Sequence, residues 1–134
     1  MLYHPERLEG VDEALASTVR MVGQMMDVLV VCGVRTQEEQ DKIYAAGKSK
    51  NKVSKHTPKP GQKGRAVDLC PLVLKDGKLV EEWDDIRVFH GMLDLVQVCA
   101  KGIDVIIRYG HTWTTNPDDK PARFDDAGHI ELPG

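Results

Sequence analysis

The sequence predicts an α+β domain in which helices flank a small antiparallel sheet. Three observations predict this class: two long stretches with apolar residues at helical spacing, short continuous apolar runs of strand length, and an Asp-Gly pair between two such runs. A content of 41% hydrophobic and 29% charged residues is typical of a globular protein, and a length of 134 residues predicts one domain spanning 1–134.

The first third of the chain predicts a helix, a strand and a second helix. Apolar residues recur at helical spacing over 11–26, with polar residues between them, which indicates an amphipathic helix. The apolar run 28–32 predicts a buried strand. Thr36 can then cap a helix in which Glu39 completes a capping box, and Gly47 ends that helix.

A strand and a hairpin follow. Residues 64–70 alternate as a strand does, with Ala66, Asp68 and Cys70 on one face. Because the neighbours of Asp68 on that face are small, there is room for an ion beside its carboxylate. The pair Asp76-Gly77 lies between two apolar runs and predicts a two-residue hairpin turn.

The rest of the chain predicts a third helix and two short strands. Asp84 or Asp85 can cap an amphipathic helix over 86–100. The apolar run 105–107 predicts a further buried strand. After an irregular loop, a last strand over 129–132 places His129 and Glu131 on one face.

Net charge, hydropathy, the N-terminal composition and the cysteines indicate in which compartment the protein is found. The net charge is -3, no apolar run approaches the roughly 20 residues of a membrane span, and the N-terminus lacks a basic segment before an apolar one. We therefore expect a soluble cytoplasmic product without a signal peptide. Cys32, Cys70 and Cys99 are widely spaced among apolar residues and predict three buried free thiols, although Cys70 is close enough to Asp68 for a minor ligand role.

Residues 48–65 form a basic segment with a charge of +7 and no acidic residue. Such a segment can attract a polymer that bears carboxylates, or it can be a solvated loop, which is the interpretation we favour. Three aspartates, Asp118, Asp119 and Asp125, suggest calcium, but their spacing fits no compact calcium-binding loop.

Two imidazoles and two carboxylates are the most informative residues. His56, Asp68 and His129, with Asp126 three positions before the last histidine, supply the groups of a hydrolytic zinc site. Spacing alone does not predict the site, because most histidines of soluble proteins bind no metal. The order of the surrounding motifs adds the missing evidence.

These motifs are Ser-x-His, Gly-x-Ala-Val-Asp-Leu-x-Pro, an Asp-Gly turn followed by Trp, Arg-Tyr-Gly-x-x-Trp, and Asp-x-x-His-x-Glu-Leu. In this order, over roughly residues 28 to 133, the sequence resembles the zinc metallopeptidases that comprise D-Ala-D-Ala carboxypeptidases and L-alanyl-D-glutamate peptidases. It is most similar to their small phage endolysins.

The resemblance implies a role for each matching residue. His56, Asp68 and His129 would be the ligands of a zinc ion at the sheet face, and Asp126 would be the catalytic carboxylate. Arg35 would lie near the substrate and the developing oxyanion, where zinc would also act. Ser54 matches a serine beside the first ligand.

The sequence departs from the family in one respect. His56 and Asp68 are twelve positions apart. Lengthening the link from the usual value of about seven costs only about 0.5 kcal/mol in loop closure. Because zinc binding at a structural site contributes on the order of 10 kcal/mol, we expect the longer link to be tolerated.

Other residues have two interpretations each. Asp126 would take the proton of the attacking water, but it can also be a turn residue, and Asp125 and Glu131 compete with it for the catalytic role. Trp113, Tyr109 and His111 follow a predicted strand; they can contact substrate, or they can be packing residues and, for His111, an exposed loop histidine.

Three functions follow from these residues. The first is a zinc peptidase that cuts the peptide part of bacterial peptidoglycan, with L-alanyl-D-glutamate as the favoured bond and phage lysis as the favoured role. The second is a D,D-carboxypeptidase or dipeptidase of the same group, and the third is a module that binds cell wall or nucleic acid without catalysis. For the first we expect a monomer that binds peptidoglycan, does not bind nucleic acid, associates with no membrane stably, and stays in the host cytoplasm before lysis.

Overall fold

A computed structural model describes residues 1–48, 54–123 and 125–134. These ranges contain six strands and three helices. The strands are β1 (Leu2–Tyr3), β2 (Val28–Cys32), β3 (Ala66–Lys75), β4 (Lys78–Glu81), β5 (Arg108–Tyr109) and β6 (His129–Glu131), and the helices are α1 (Glu13–Met25), α2 (Gln37–Ala45) and α3 (Ile86–Gly102). A short 3-10 turn, Pro5–Leu8, precedes α1. The predicted α+β class is confirmed.

Side-chain caps begin all three helices. Asp12 caps α1, and the Thr36 hydroxyl oxygen accepts a bond of 3.1 Å from the backbone N–H of Glu39 at the start of α2. The Glu39 carboxylate accepts from the Thr36 hydroxyl at 3.1 Å, whereas a capping box requires it to accept from the backbone N–H of Thr36, so the predicted box is formed only in part. Of the two candidate caps of α3, Asp85 is the one whose side chain accepts a helical N–H.

The sheet is mixed, so the prediction of an antiparallel sheet was wrong in part. The strand order is β1-β2-β3-β6-β5, with β4 paired to β3. All pairs are antiparallel except β1 with β2, where Leu2 pairs with Val28. The connection between these two strands is helix α1, and a helical crossover returns the chain in the same direction. A two-residue strand leaves no alternation in the sequence, so β1 was not predicted.

The hairpin between β3 and β4 was predicted correctly. Asp76 and Gly77 have φ values of 53° and 76°, the left-handed pair that a tight two-residue turn requires. Strand β3 is longer than the predicted 64–70 and continues through Pro71 to Lys75. Proline removes one donor, but its carbonyl still accepts a bond of 3.0 Å from the N–H of Glu82.

The strand predicted over 105–107 is absent from the described chain. The residues continue the turn that ends α3: Asp104 has a φ of 57°, and the N–H of Val105 bonds to the carbonyl of Ala100 at 2.8 Å. Ile106 is 66% exposed, so the three apolar residues do not form a buried strand. Pairing with β6 begins only at Arg108.

The hydrophobic core lies between the sheet and the two long helices. Side chains of α1 and α3 pack with Val67 and Leu69 of β3 and Ile130 of β6. Because side chains alternate along a strand, Asp68 and His129 point away from this core. The fold therefore sets both side chains on the opposite face of the sheet. No helix in the described ranges has the length and apolar content needed to cross a membrane.

Candidate metal centre

Hydrogen bonds to its ring and to its backbone hold His56 in place. It precedes β3, is only 3% exposed, and its Nδ1–H donates to the carbonyl of Gly33 at 2.9 Å. Its own backbone carbonyl accepts from the N–H of Arg35 at 2.7 Å, and its N–H donates to the Ser54 hydroxyl oxygen at 3.2 Å. With Nδ1 committed to a carbonyl, Nε2 is the atom available to a ligand.

His129 and Asp68 face each other across neighbouring strands. The two residues are directly paired in the register of β3 and β6. The Nε2–H of His129 donates to the Oε1 atom of Glu131 at 2.9 Å, which leaves Nδ1 turned toward Asp68. Nδ1 of His129 lies 3.0 Å from Oδ1 of Asp68.

Three ligand atoms form a small triangle. Nε2 of His56 lies 3.2 Å from Oδ1 of Asp68 and 3.3 Å from Nδ1 of His129, and the third side measures 3.0 Å. A tetrahedral ion with bonds of about 2.0 to 2.1 Å separates its ligand atoms by about 3.3 Å. The triangle therefore has the size that one such ion requires.

The charges of the three residues are strongly coupled. Burial alone would lower the pKa of both imidazoles, but the contacts with Asp68 outweigh it, helped by Cys32 for His56 and by Glu131 for His129. They raise the pKa of His56 to about 10 and that of His129 to about 9. Burial would raise the pKa of Asp68, and hydrogen bonds from both histidines hold it well below its usual range. A carboxylate that stays ionised is suited to hold a cation.

Asp126 stands beside this triangle. A carboxylate oxygen of Asp126 lies within 4.8 Å of the ligand atoms of Asp68 and His129. Its backbone carbonyl accepts from the N–H of His129 at 3.0 Å, so the loop that carries Asp126 is fixed to β6. Partial desolvation, followed by the negative charge of Asp68, raises the pKa of the Asp126 carboxyl. A raised pKa brings a carboxylate closer to the range in which a general base works well.

The carboxylates of the two other candidates for the catalytic role, Asp125 and Glu131, are engaged by histidine or lysine side chains. Oδ1 of Asp125 accepts from Nδ1 of His111 at 2.9 Å. Glu131 is 5% exposed and contacts His129 and Lys55, with its Oε2 atom 2.7 Å from the lysine Nζ. Of the three acidic residues, Asp126 is the one that groups with Asp68 and His129, since its carboxylate oxygen lies within 4.8 Å of their ligand atoms.

Arg35 reaches the edge of the triangle from the segment after β2. One guanidinium nitrogen, Nη2, lies 3.9 Å from Oδ2 of Asp68, and the other, Nη1, donates to Oε1 of Gln40 at 2.6 Å. Gln40 is fully buried on α2. The guanidinium is therefore oriented by a fixed partner, with one side directed to the cluster.

Cys32 also lies at the site, and the sequence did not indicate it. Its Sγ atom is within 4.8 Å of ligand atoms of His56 and Asp68. The cysteine considered as a minor ligand was Cys70, whose thiol instead bonds to the carbonyls of Pro71 and Glu82. The predicted burial holds for Cys70 and Cys99, whereas Cys32 is partly exposed. Cys32 pairs with Asp68 in the antiparallel register of β2 and β3. A correct prediction of this register from the sequence would have placed Cys32 at the site.

The four residues considered for substrate contact fall into two groups: two lie beside the triangle and two are buried. Ser54 contacts His56, and the Trp113 ring lies with its centroid 5.4 Å from that of His129. Tyr109 and His111 are each 1% exposed. Their burial argues against direct contact with a substrate and, for His111, against the alternative of an exposed loop residue.

The fold and the cluster together define a class. An α+β domain with two imidazoles and a carboxylate converging on one point, and a further carboxylate beside them, is built as a small metal-dependent hydrolase. The model of the phage L-alanyl-D-glutamate peptidase family matches residues 4–133. The chain belongs to this family, and it is a peptidase that acts on bacterial peptidoglycan.

Other comparisons concern sequence and fold. No curated protein sequence matches the chain. Among solved structures, the L-Ala D-Glu endopeptidase ChiX of Serratia marcescens superposes with a TM-score of 0.75, covering 99% of this chain and 90% of that chain at 22% identity. At this identity the likeness shows a shared fold.

Proposed function

We propose that this peptidase depends on zinc, held by Nε2 of His56, Oδ1 of Asp68 and Nδ1 of His129. The single observation that carries the proposal is the triangle of these atoms, with sides of 3.0, 3.2 and 3.3 Å. Two nitrogen ligands and one oxygen ligand suit zinc, and a three-residue set leaves a position open for catalysis. When bound, zinc would supply Lewis-acid activation of water and of the scissile carbonyl.

Asp126 and Arg35 would carry the remaining chemistry. Asp126 accepts a proton from the attacking water and delivers it to the leaving amine. Its position within 4.8 Å of Asp68 and His129 and its raised pKa support this role. Arg35 donates to the oxyanion of the tetrahedral intermediate, a role supported by its oriented guanidinium at the edge of the cluster.

Ser54 and Trp113 would line the substrate cleft. The Ser54 hydroxyl fixes the backbone at His56, and Trp113 packs beside the His129 ring. The bond cut would be L-alanyl-D-glutamate, with the enzyme acting as a monomeric phage endolysin. It would accumulate in the host cytoplasm and act on the cell wall at lysis.

Digestion of purified peptidoglycan tests this proposal. New N-terminal D-glutamate and C-terminal L-alanine, identified by mass spectrometry, are expected. Release of D-alanine alone would instead identify a D,D-carboxypeptidase. Chelation should abolish the products and added zinc should restore them.

A matched pair of variants separates catalysis from folding. Asp126→Asn should lose cleavage, while Asp104→Asn, an isosteric change at an exposed turn residue with a φ of 57°, should keep it. Cleavage at the wild-type rate by Asp126→Asn would refute the catalytic assignment.

A further inference from the structure

A second cluster of metal-ligating side chains lies outside the first and shares no residue with it. His90 and Asp94 are one turn apart on α3, so their side chains leave the same side of the helix. Asp118 approaches them from the segment between β5 and β6. One ligand atom from each of the three residues lies within 4.8 Å of the others.

A chain of hydrogen bonds supports the His90 ring on the side away from the two carboxylates. The Asp125 carboxylate accepts from Nδ1 of His111 at 2.9 Å, so that nitrogen carries the proton. The other ring nitrogen of His111, Nε2, lies 3.1 Å from Nε2 of His90, so one of these two nitrogens donates to the other. A metal ion bound at Nδ1 of His90 requires the tautomer in which Nε2 carries the proton and donates across this contact.

With Nε2 of His90 as the donor to His111, Nδ1 is the nitrogen that faces the carboxylates. Nδ1 of His90 lies 3.6 Å from Oδ1 of Asp118, too far for a hydrogen bond. The distance is a few tenths of an ångström above the separation of about 3.3 Å between two ligands of a tetrahedral ion. Asp94 and Asp118 approach each other as well, and two carboxylates side by side repel unless a proton or a cation lies between them.

The hydrogen bond at Nε2 of His90 has the arrangement that is common for imidazoles that bind a metal. A ligating imidazole commonly donates its second N–H to a fixed acceptor, which orients the ring and raises its basicity. Here the acceptor is His111, which is 1% exposed and is itself held by Asp125. The buried relay distinguishes this cluster from a chance group of surface aspartates.

We propose that His90, Asp94 and Asp118 form a second site, for a divalent first-row transition metal ion. One imidazole nitrogen and two carboxylate oxygens suit Zn²⁺ or Mn²⁺, whereas Ca²⁺ prefers oxygen ligands only. A bound ion would connect α3 to the segment that carries Asp118 and, further along, Asp125 and Asp126. The site would thereby stabilise the segment on which the catalytic carboxylate stands.

The number of Zn²⁺ ions bound at saturation, by equilibrium dialysis with metal analysis, tests the proposal. Two ions per chain are expected for the wild type and one for Asp94→Asn/Asp118→Asn, whose changes lie at exposed positions. The control Asp41→Asn/Asp104→Asn makes the same charge change at exposed residues and should bind two ions. Equal stoichiometry in the wild type and Asp94→Asn/Asp118→Asn would overturn the proposal.

Failure here is distinguishable from failure of the peptidase proposal. Asp68→Asn should lose the other ion together with cleavage, whatever happens at the second cluster. A ring-nitrogen NMR experiment adds a direct readout, because Zn²⁺ should shift the Nδ1 resonance of His90 and leave its Nε2–H in place. An unchanged Nδ1 resonance at saturating Zn²⁺ would contradict the assigned ligand atom.

Discussion

His129 and Glu131 lie on the same face of β6, and the Nε2–H of His129 donates to the buried carboxylate of Glu131 at 2.9 Å. Lys55 at 2.7 Å and Arg108 at 3.5 Å balance the charge of that carboxylate. Glu131 thus orients the ring so that Nδ1 faces Asp68. It is a positioning residue, and its contribution should appear in metal affinity.

Glu131→Gln should weaken zinc binding by about tenfold, because the support of a metal ligand typically contributes 10- to 100-fold in affinity. The amide oxygen can still accept from His129, so the variant should fold, but it lacks the negative charge. Competition with a chromophoric chelator measures the change. Glu81→Gln, at an exposed residue of β4, is the matched control. Equal affinities in the two variants would remove Glu131 from this role.

Arg35→Lys should lower kcat by about 100-fold, the usual effect of removing one oxyanion donor. Lysine keeps the positive charge but cannot bond to Gln40 and reach the cluster in the same geometry. KM and zinc content should change little. Steady-state kinetics on a muropeptide distinguishes this outcome from a loss confined to KM, which would indicate a role in substrate binding alone.

Cys32→Ser should keep zinc and activity. Burial alone would raise the pKa of the Cys32 thiol, but His56 and Arg35 beside it lower the pKa, so a thiolate is a chemical competitor for the ligand role. The three-ligand geometry does not need it. Cobalt substitution provides the measurement: the wild type and Cys32→Ser should have the same spectrum, and a thiolate charge-transfer band in the wild type would place Cys32 among the ligands.

The stability of the chelator-treated protein should fall as pH rises above neutrality. The pKa values of His56 and His129 are raised from 6.5 to about 10 and about 9, so their contribution is complete below pH 6.5 and is lost as pH rises toward those values. The pKa of Glu131 is lowered from 4.5 to about 2, so its contribution is complete above pH 4.5 and is lost as pH falls toward 2. Maximum stability is therefore expected between these limits.

Zinc should reverse the trend on the alkaline side. Its ligands must lose their protons to bind, so the stabilisation from zinc should grow as pH rises. Thermal unfolding from pH 4 to pH 10, with chelator and with zinc, measures both slopes. Parallel curves would contradict the involvement of the two histidines.

Local signals in the sequence were sufficient for much of the fold. Thr36 and Asp85 cap helices, and Asp76-Gly77 forms the hairpin, because each depends on neighbours a few residues away. Strand β1 depends instead on pairing with a segment some 26 positions later, and two residues hold no periodicity. The prediction of a strand over 105–107 was wrong because the local signal was too short: three apolar residues fit a turn as well as a strand.

The sequence likewise predicted some residues of the candidate site and missed others. His56, Asp68, His129 and Asp126 were found from their order in the chain, and the structure brings them together. The relay of His111 could not be predicted, because its partners on α3 and in the following loop meet only in the folded chain.

Anomalous diffraction at the zinc absorption edge, from crystals of the zinc-loaded protein, tests directly whether zinc binds between His56, Asp68 and His129. A peak is expected about 2.0 to 2.2 Å from Nε2 of His56, Oδ1 of Asp68 and Nδ1 of His129. Full zinc occupancy elsewhere, with no anomalous peak among these three atoms, would contradict this assignment of the ligands.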